Sequence, residues 1–216
     1  LLNLDPTEPM GATLGRILEP SYLAEHQIAS MGALLAHLRE GCEIEGADQL
    51  GHRIGVFATK DIGRAVFDPL LPTADMSASI VVYRTNELAL PGAEETNLEH
   101  RFRQMSIEKR MGRAVHVLIA AVAKEVCFAD RTQLAIFACD EAHAITRAPE
   151  GAEILIDFNR DGRKHKAGLI VGSHDPEEDF GSTVLRHLIP MRVVLRHRDP
   201  VLAARALRWL FGHELD

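Results

Sequence analysis

The sequence predicts an α/β fold, with a mostly parallel sheet and helices on both of its faces. Four short apolar runs lack polar alternation, which is typical of strands covered on both faces. Helical stretches separate these runs, so strands and helices alternate and right-handed parallel crossovers follow. The 216 residues, 46% of them hydrophobic, are enough for one core of the size that three-layer α/β domains use.

The first 72 residues are predicted to form a mostly helical lead-in or insertion. Apolar positions between Leu23 and Leu38 predict a helix over residues 21–40, with Ser21 as its N-cap and Gly41 as its stop. Residues 43–68 space their apolar side chains irregularly among four glycines, which predicts short helical turns and loops.

Residues 73–216 are predicted to form the α/β core, in one compact unit with the lead-in. A β-branched run at 79–84 predicts the first strand, and apolar spacing close to 3.6 residues over 95–128 predicts the longest helix. The other strands are predicted at 134–139, 168–172 and 191–195. The other helices are predicted at 151–160, 180–188 and 199–211.

Composition and charge exclude several classes of protein. A net charge of −7, from 31 acidic and 24 basic residues, excludes a coat for nucleic acid that relies on overall basicity. The cysteines at 42, 127 and 139 lack CxxC spacing, which argues against a disulfide framework or a zinc site and indicates a reducing compartment. No apolar run approaches the roughly 18 residues needed to cross a bilayer, so we expect a cytoplasmic location.

Two adjacent acids, Asp140 and Glu141, follow the apolar run at 134–139. Open parallel sheets bind ligands beyond the carboxyl ends of their strands. An apolar strand that ends in two acids is the Walker B arrangement of P-loop nucleotide hydrolases. Asp140 would hold, through water, the Mg²⁺ that bridges the phosphates, and Glu141 would polarise the attacking water. The alternative is that both acids merely cap the turn at 142–145.

Three motifs in order carry a resemblance to a known family. DEAH at 140–143 is followed by NRDGRKHK at 159–166 and by SHDPEEDF at 173–180. This order resembles the RecA-like ATPases of type IV secretion and conjugative DNA transfer, the VirB-type family, over about residues 79–211. The resemblance implies a three-layer RecA-like P-loop NTPase core, incomplete at the N-terminus, that uses ATP and Mg²⁺. It also implies a hexamer at the inner face of the cell membrane, with other secretion or transfer components and DNA as candidate partners.

The same resemblance assigns roles to three further residues. Arg160 and Arg163 become candidates for an arginine finger that acts on the ATP of a neighbouring subunit, although cations at a helix end also simply complement its dipole. His174 stands where the family has a glutamine that senses the γ-phosphate, and its alternative role is a local hydrogen bond. The acids at 175–179 are predicted to form a solvated loop and helix N-terminus rather than a metal cluster.

The phosphate-binding motif GxxxxGK(S/T) is missing from these 216 residues. In the family this loop lies upstream, and the chain begins with leucine, so we expect a downstream fragment of a larger motor that does not hydrolyse ATP alone. A noncatalytic α/β assembly module remains the main alternative, and a DEAH-type helicase a weaker one. The basic C-terminal region, rich in arginine from 186 to 208, could face DNA, a membrane-bound partner or a neighbouring subunit, or simply be solvated.

Overall fold

The computed structural model describes residues 2, 4–72, 75–92, 95, 104–180 and 183–212. The chain divides into two compact units. The first comprises Leu1–Val82, Asn86–Ala89 and Ser106–Gly112. The second comprises Tyr83–Thr85, Leu90–Met105 and Arg113–Asp216.

The first unit is helical. Its helices are α1 (Pro9–Ile17), α2 (Pro20–Glu25), α3 (Met31–Glu40), α4 (Ala47–Ala58) and α5 (Asp61–Phe67). The prediction of only short helical turns and loops at 43–68 is wrong for α4, where Leu50, Ile54 and Phe57 recur at helical spacing and bury one face of a 12-residue helix in the core.

The single helix predicted over residues 21–40 is also wrong. The chain breaks between α2 and α3, where Gln27 adopts a left-handed φ of 54°. Ser21 is not an N-cap, since α2 already begins at Pro20; instead, the Ser30 hydroxyl caps α3 by accepting the N–H of Ala33 at 3.1 Å. Gly41 ends α3 as predicted.

The second unit alternates helices with two strands. Its elements are α6 (Ile107–Ala129, which shares residues 107–112 with the first unit), β1 (Ala135–Cys139), α7 (His143–Thr146), α8 (Pro149–His165), β2 (Ala167–Val171), α9 (Pro176–Asp179), α10 (Thr183–Leu188) and α11 (Pro200–Phe211). The predicted long helix is thus confirmed from 107 onwards, while residues 96–103 of that prediction lie outside the described residues. Within the described part of the chain, no helix has the length and apolar character needed to span a membrane.

The sheet is small and parallel, which confirms an α/β fold. β1 pairs with β2 in register from Ala135 opposite Ala167 to Cys139 opposite Val171. β2 has one neighbour in the described sheet. The Lys166 carbonyl accepts a hydrogen bond from the Ala135 N–H, and the Gly172 N–H donates one to the Cys139 carbonyl. Because residues along a strand alternate in direction, the backbone groups of residues 167, 169 and 171 face away from β1.

The predictions of buried strands at 79–84 and 191–195 are wrong. Neither segment belongs to the sheet of the described residues. Ile80 and Val82 are both 83% exposed. In the second segment Met191, Val193 and Leu195 are exposed, whereas Val194 packs inward against Trp209 and its neighbours.

Aromatic packing under β1 holds the sheet on α8. The buried ring of Phe158 lies 5.1 Å from that of Phe128 on α6 and 5.7 Å from that of Phe137 on β1. His165 stacks on Phe128 at 4.3 Å, and one of its ring nitrogens lies 3.0 Å from the Phe128 carbonyl. These contacts fix α8 against the strands whose ends carry the candidate site.

Candidate nucleotide site at the strand ends

The carboxyl ends of β1 and β2 meet at one edge of the sheet. Because the strands are parallel, Asp140 and Glu141 emerge beside Ser173 and His174. The Gly172 N–H donates to the Cys139 carbonyl at 2.8 Å, and the Ala142 N–H donates to the Gly172 carbonyl at 2.8 Å. These two bonds join the ends of the strands into one rigid corner.

Glu141 lies between two imidazole rings. Its Oε1 is 2.8 Å from Nε2 of His174, and its Oε2 is 3.1 Å from Nδ1 of His143. The backbone at Glu141 has a left-handed φ of 60°, an unusual conformation for a residue with a Cβ. The structure therefore brings the predicted residues Glu141 and His174 together and adds His143, which the sequence reasoning missed although it is the last residue of the DEAH motif.

Asp140 presents an exposed carboxylate at the same corner. Its Oδ1 accepts the N–H of Glu141 at 3.2 Å. The N-cap of α7 is Ala142 and no side chain caps this described helix, so capping by the two acids does not explain their position. Gly172 lies so close that a Cβ there would be 2.8 Å from Oδ1 of Asp140.

The donors fit a magnesium ion better than a closed protein-built metal site. Among the described residues, no group of three or more His, Cys, Asp or Glu side chains converges on one point. Mg²⁺ keeps several waters and is held by one or two carboxylates together with substrate phosphates. The exposed oxygens of Asp140 suit that mode of binding through water.

Burial and charge perturb two groups beside this corner. Burial and the neighbouring charges of Asp140 and Glu141 raise the pKa of the Cys139 thiol to about 11, so it stays protonated at neutral pH. Burial also raises the pKa of Asp179, against the hydrogen bond from the Ser173 hydroxyl at 2.5 Å and the attraction of nearby His143. Cys139 and Asp179 therefore lie in surroundings that exclude water, whereas Asp140 and His174 at the corner itself are exposed.

The acidic run after β2 is paired with arginines, which corrects the prediction of a solvated loop. Asp175 caps α9, as a helix N-terminus requires. Its carboxylate also lies 2.5 Å from the Arg205 guanidinium, and Glu177 lies 3.1 Å from that of Arg208. Glu178 contacts Arg147 at 3.4 Å. Part of the C-terminal arginine excess thus holds α11 against the loop that follows His174.

Arg160 and Arg163 lie far from the acids in the same chain. Both are exposed on the last turns of α8. α8 leads into the amino end of β2, whereas Asp140 follows the carboxyl end of β1, and a strand of five residues spans roughly 17 Å. The predicted site residues therefore fall into two groups at opposite ends of the sheet.

A separate cleft lies in the first unit, and sequence reasoning did not anticipate it. Its volume is about 1020 Å³, and its lining includes Arg16, Tyr22 and His26. The Tyr22 hydroxyl lies 2.9 Å from a ring nitrogen of His37. Its contact with Cys42 raises the pKa of Tyr22 to about 12. The signal available in the sequence was the spacing of four residues between Tyr22 and His26.

Comparison with known proteins identifies a family to which the chain is similar. A family model described as an AAA-like domain matches residues 22–214. No curated protein and no solved structure gives a significant match to the chain.

Proposed function

The chain belongs to the AAA-like domain family, a P-loop ATPase-like family of nucleotide-hydrolysing motors, and we propose on this premise that it is part of an ATP-hydrolysing motor that powers conjugative DNA transfer or type IV protein secretion. The observation that carries the proposal is the corner at the carboxyl ends of β1 and β2. There Asp140, Glu141 and His174 lie together, at the edge where parallel sheets bind nucleotides. Within the α/β class, the proposed fold is a RecA-like three-layer core to which β1 and β2 belong.

Each residue of the corner has a proposed role. Asp140 would hold Mg²⁺ through water, and the ion, when bound, would neutralise charge on the nucleotide phosphates. Glu141 orients the attacking water and accepts its proton. His174 reports on the γ-phosphate through its contact with Glu141, at 2.8 Å.

The proposed assembly is a hexamer in which each site uses two subunits. Arg160 and Arg163 lie at the opposite end of the sheet from Asp140, so a neighbouring chain is the one whose ATP they can reach. A guanidinium that enters from a neighbour stabilises the charge that develops on the transferred phosphoryl group. Proposed partners are other secretion or transfer components and DNA, at the inner face of the membrane.

The experiment is an ATP hydrolysis assay on the full-length gene product. Glu141→Gln is expected to abolish hydrolysis while ATP binding persists, because the amide cannot accept the proton. Glu153→Gln, at an exposed position on α8, is the matched control and should leave the rate unchanged. No hydrolysis by the wild-type product, or full activity of Glu141→Gln, would instead favour a noncatalytic assembly module.

The 216-residue chain alone is expected to be inactive, because it contains no GxxxxGK(S/T) loop to hold the phosphates. Magnesium-dependent turnover by this chain would contradict that expectation.

Mixing two inactive variants tests the shared site. Arg163→Ala and Glu141→Gln subunits are each expected to be inactive alone. Mixed oligomers should regain part of the activity, because some sites then combine an intact Glu141 with an intact Arg163 from the next subunit. If Arg163 acted within its own chain, mixing would restore nothing beyond the two separate rates.

A further inference from the structure

The two carboxylate oxygens of Glu141 have different surroundings. Oε1 lies 2.8 Å from Nε2 of His174, a side chain that is 80% exposed. Oε2 is buried, and within the described residues no donor is aligned to hydrogen-bond with it, although Nδ1 of His143 lies 3.1 Å away. Oε1 is therefore the oxygen that a water molecule arriving from solvent can reach.

The side chain of His143 is less exposed than that of His174. His143 begins α7, and its side chain is 22% exposed. It also lies close enough to the buried carboxylate of Asp179 to lower the pKa of that group by charge attraction. Asp179 in turn accepts the Ser173 hydroxyl at 2.5 Å. The ring of His143 thus lies 3.1 Å from the carboxylate of Glu141 and acts through its charge on that of Asp179.

We propose that His143 is a positioning residue that holds Oε2 of Glu141 inward, so that Oε1 is the atom that accepts the proton of the attacking water. This role rests on the proposed function. In that step an O–H bond of water breaks and its proton passes to Oε1, while the water oxygen bonds to the γ-phosphorus. The bond from phosphorus to the bridging oxygen breaks, and its electron pair leaves with ADP.

Loss of His143 would act on the rate rather than on nucleotide affinity. Without the attraction of Nδ1, the carboxylate of Glu141 can turn about its last bond, and Oε1 faces the water for less of the time. The proposed role involves no contact between His143 and ATP. The KM for ATP should therefore stay constant while kcat falls.

The first arm of the test needs no nucleotide and uses the 216-residue chain. Imidazole ¹⁵N signals are recorded by NMR for the wild type and for Glu141→Gln, which keeps the shape of the side chain and removes its charge. The signals of His143 and His174 should both shift, because each ring faces one oxygen of Glu141. The signals of His187, exposed on α10, should stay in place.

The second arm measures ATP hydrolysis by the full-length gene product. His143→Leu is expected to lower kcat by about 10–100-fold at unchanged KM, since a small misplacement of a reacting group costs up to about this factor. His143→Asn should retain most of the rate, because its amide nitrogen can take the place of Nδ1. His187→Leu serves as the control for replacing an exposed histidine.

Three results would overturn the role of His143. These are unchanged His143 signals in Glu141→Gln, equal loss of kcat in His143→Asn and His143→Leu, or a raised KM at constant kcat. An inactive wild-type product would overturn the proposed function and this role with it, even where the NMR signals report the contact. The two proposals therefore fail in different ways.

Discussion

Replacing Gly172 by alanine tests how closely the ends of the two strands approach. A Cβ at Gly172 would lie 2.8 Å from Oδ1 of Asp140. The glycine backbone cannot retreat, because its N–H and its carbonyl both form hydrogen bonds of 2.8 Å across the corner. The carboxylate of Asp140 must therefore move by roughly 0.6 Å to reach van der Waals separation. Gly168, in the same strand, is the matched control, since the nearest neighbour of its Cβ would be Cγ1 of Ile136 at 3.8 Å.

The magnitudes differ between the two variants. Gly168→Ala is expected to stabilise the chain by about 0.4–1 kcal/mol, because alanine restricts the unfolded state. Gly172→Ala gains the same contribution but forces Asp140 from its preferred rotamer, at a cost of about 0.5–1.5 kcal/mol. The free energy of unfolding in urea, followed by circular dichroism, should thus be lower for Gly172→Ala by about that cost. Equal stabilisation by both substitutions would refute the close approach.

The same pair of variants has a readout at the site. In the full-length gene product, Gly172→Ala should lower ATP hydrolysis by on the order of 10-fold, because the displaced carboxylate would no longer be placed to hold the proposed hydrated ion. Gly168→Ala should hydrolyse ATP at the wild-type rate. A normal rate in both would mean that the position of Asp140 is not critical.

Three further substitutions have outcomes that urea unfolding can measure. Phe158→Ala removes a ring that is 2% exposed and should cost about 3–5 kcal/mol of unfolding free energy; a loss below about 1 kcal/mol would contradict the packing under β1. Ser30→Ala removes the cap of α3 and should cost about 1 kcal/mol, whereas Ser30→Gly should cost only a few tenths. Burial raises the pKa of Asp179 in the fold, so the native state keeps a proton that the unfolded chain has lost, and the free energy of unfolding falls as the pH rises above about 4. Asp179→Asn should remove this contribution to the pH dependence of the free energy of unfolding. An unchanged pH dependence would argue against the raised pKa.

The sequence predicted the two sheet strands because their apolar runs are continuous and short. The run at 191–195 is also apolar apart from Arg192, yet only Val194 of its apolar side chains packs inward, against the cluster around Trp209. Composition reports that a segment is apolar, but backbone partners decide whether it joins a sheet. The break between α2 and α3 was missed for a similar reason, since apolar spacing alone does not register the left-handed turn at Gln27.

At the candidate site, the sequence predicts contacts that follow from a general rule of sheet topology, but not contacts that depend on local turn geometry or join residues far apart in the chain. The meeting of Glu141 and His174 follows from the rule that parallel strands end at one edge. The contact of His143 depends on how tightly α7 turns, which the sequence does not specify. The pair of Arg205 with Asp175 joins residues 30 positions apart, and local patterns carry no information about it.

Among the residues that the structure describes, no strand lies beside the outer edge of β2, and this has a practical consequence for handling the purified protein. The backbone groups of residues 167, 169 and 171 face away from β1, and the neighbouring side chain of Ile170 is exposed. An apolar strand with a free edge is a template for pairing with the same strand of another molecule, so aggregation should rise with protein concentration. The net charge of −7 opposes this association only at a distance and weakly in salt. The net charge therefore gives the purified chain little protection against pairing through this edge.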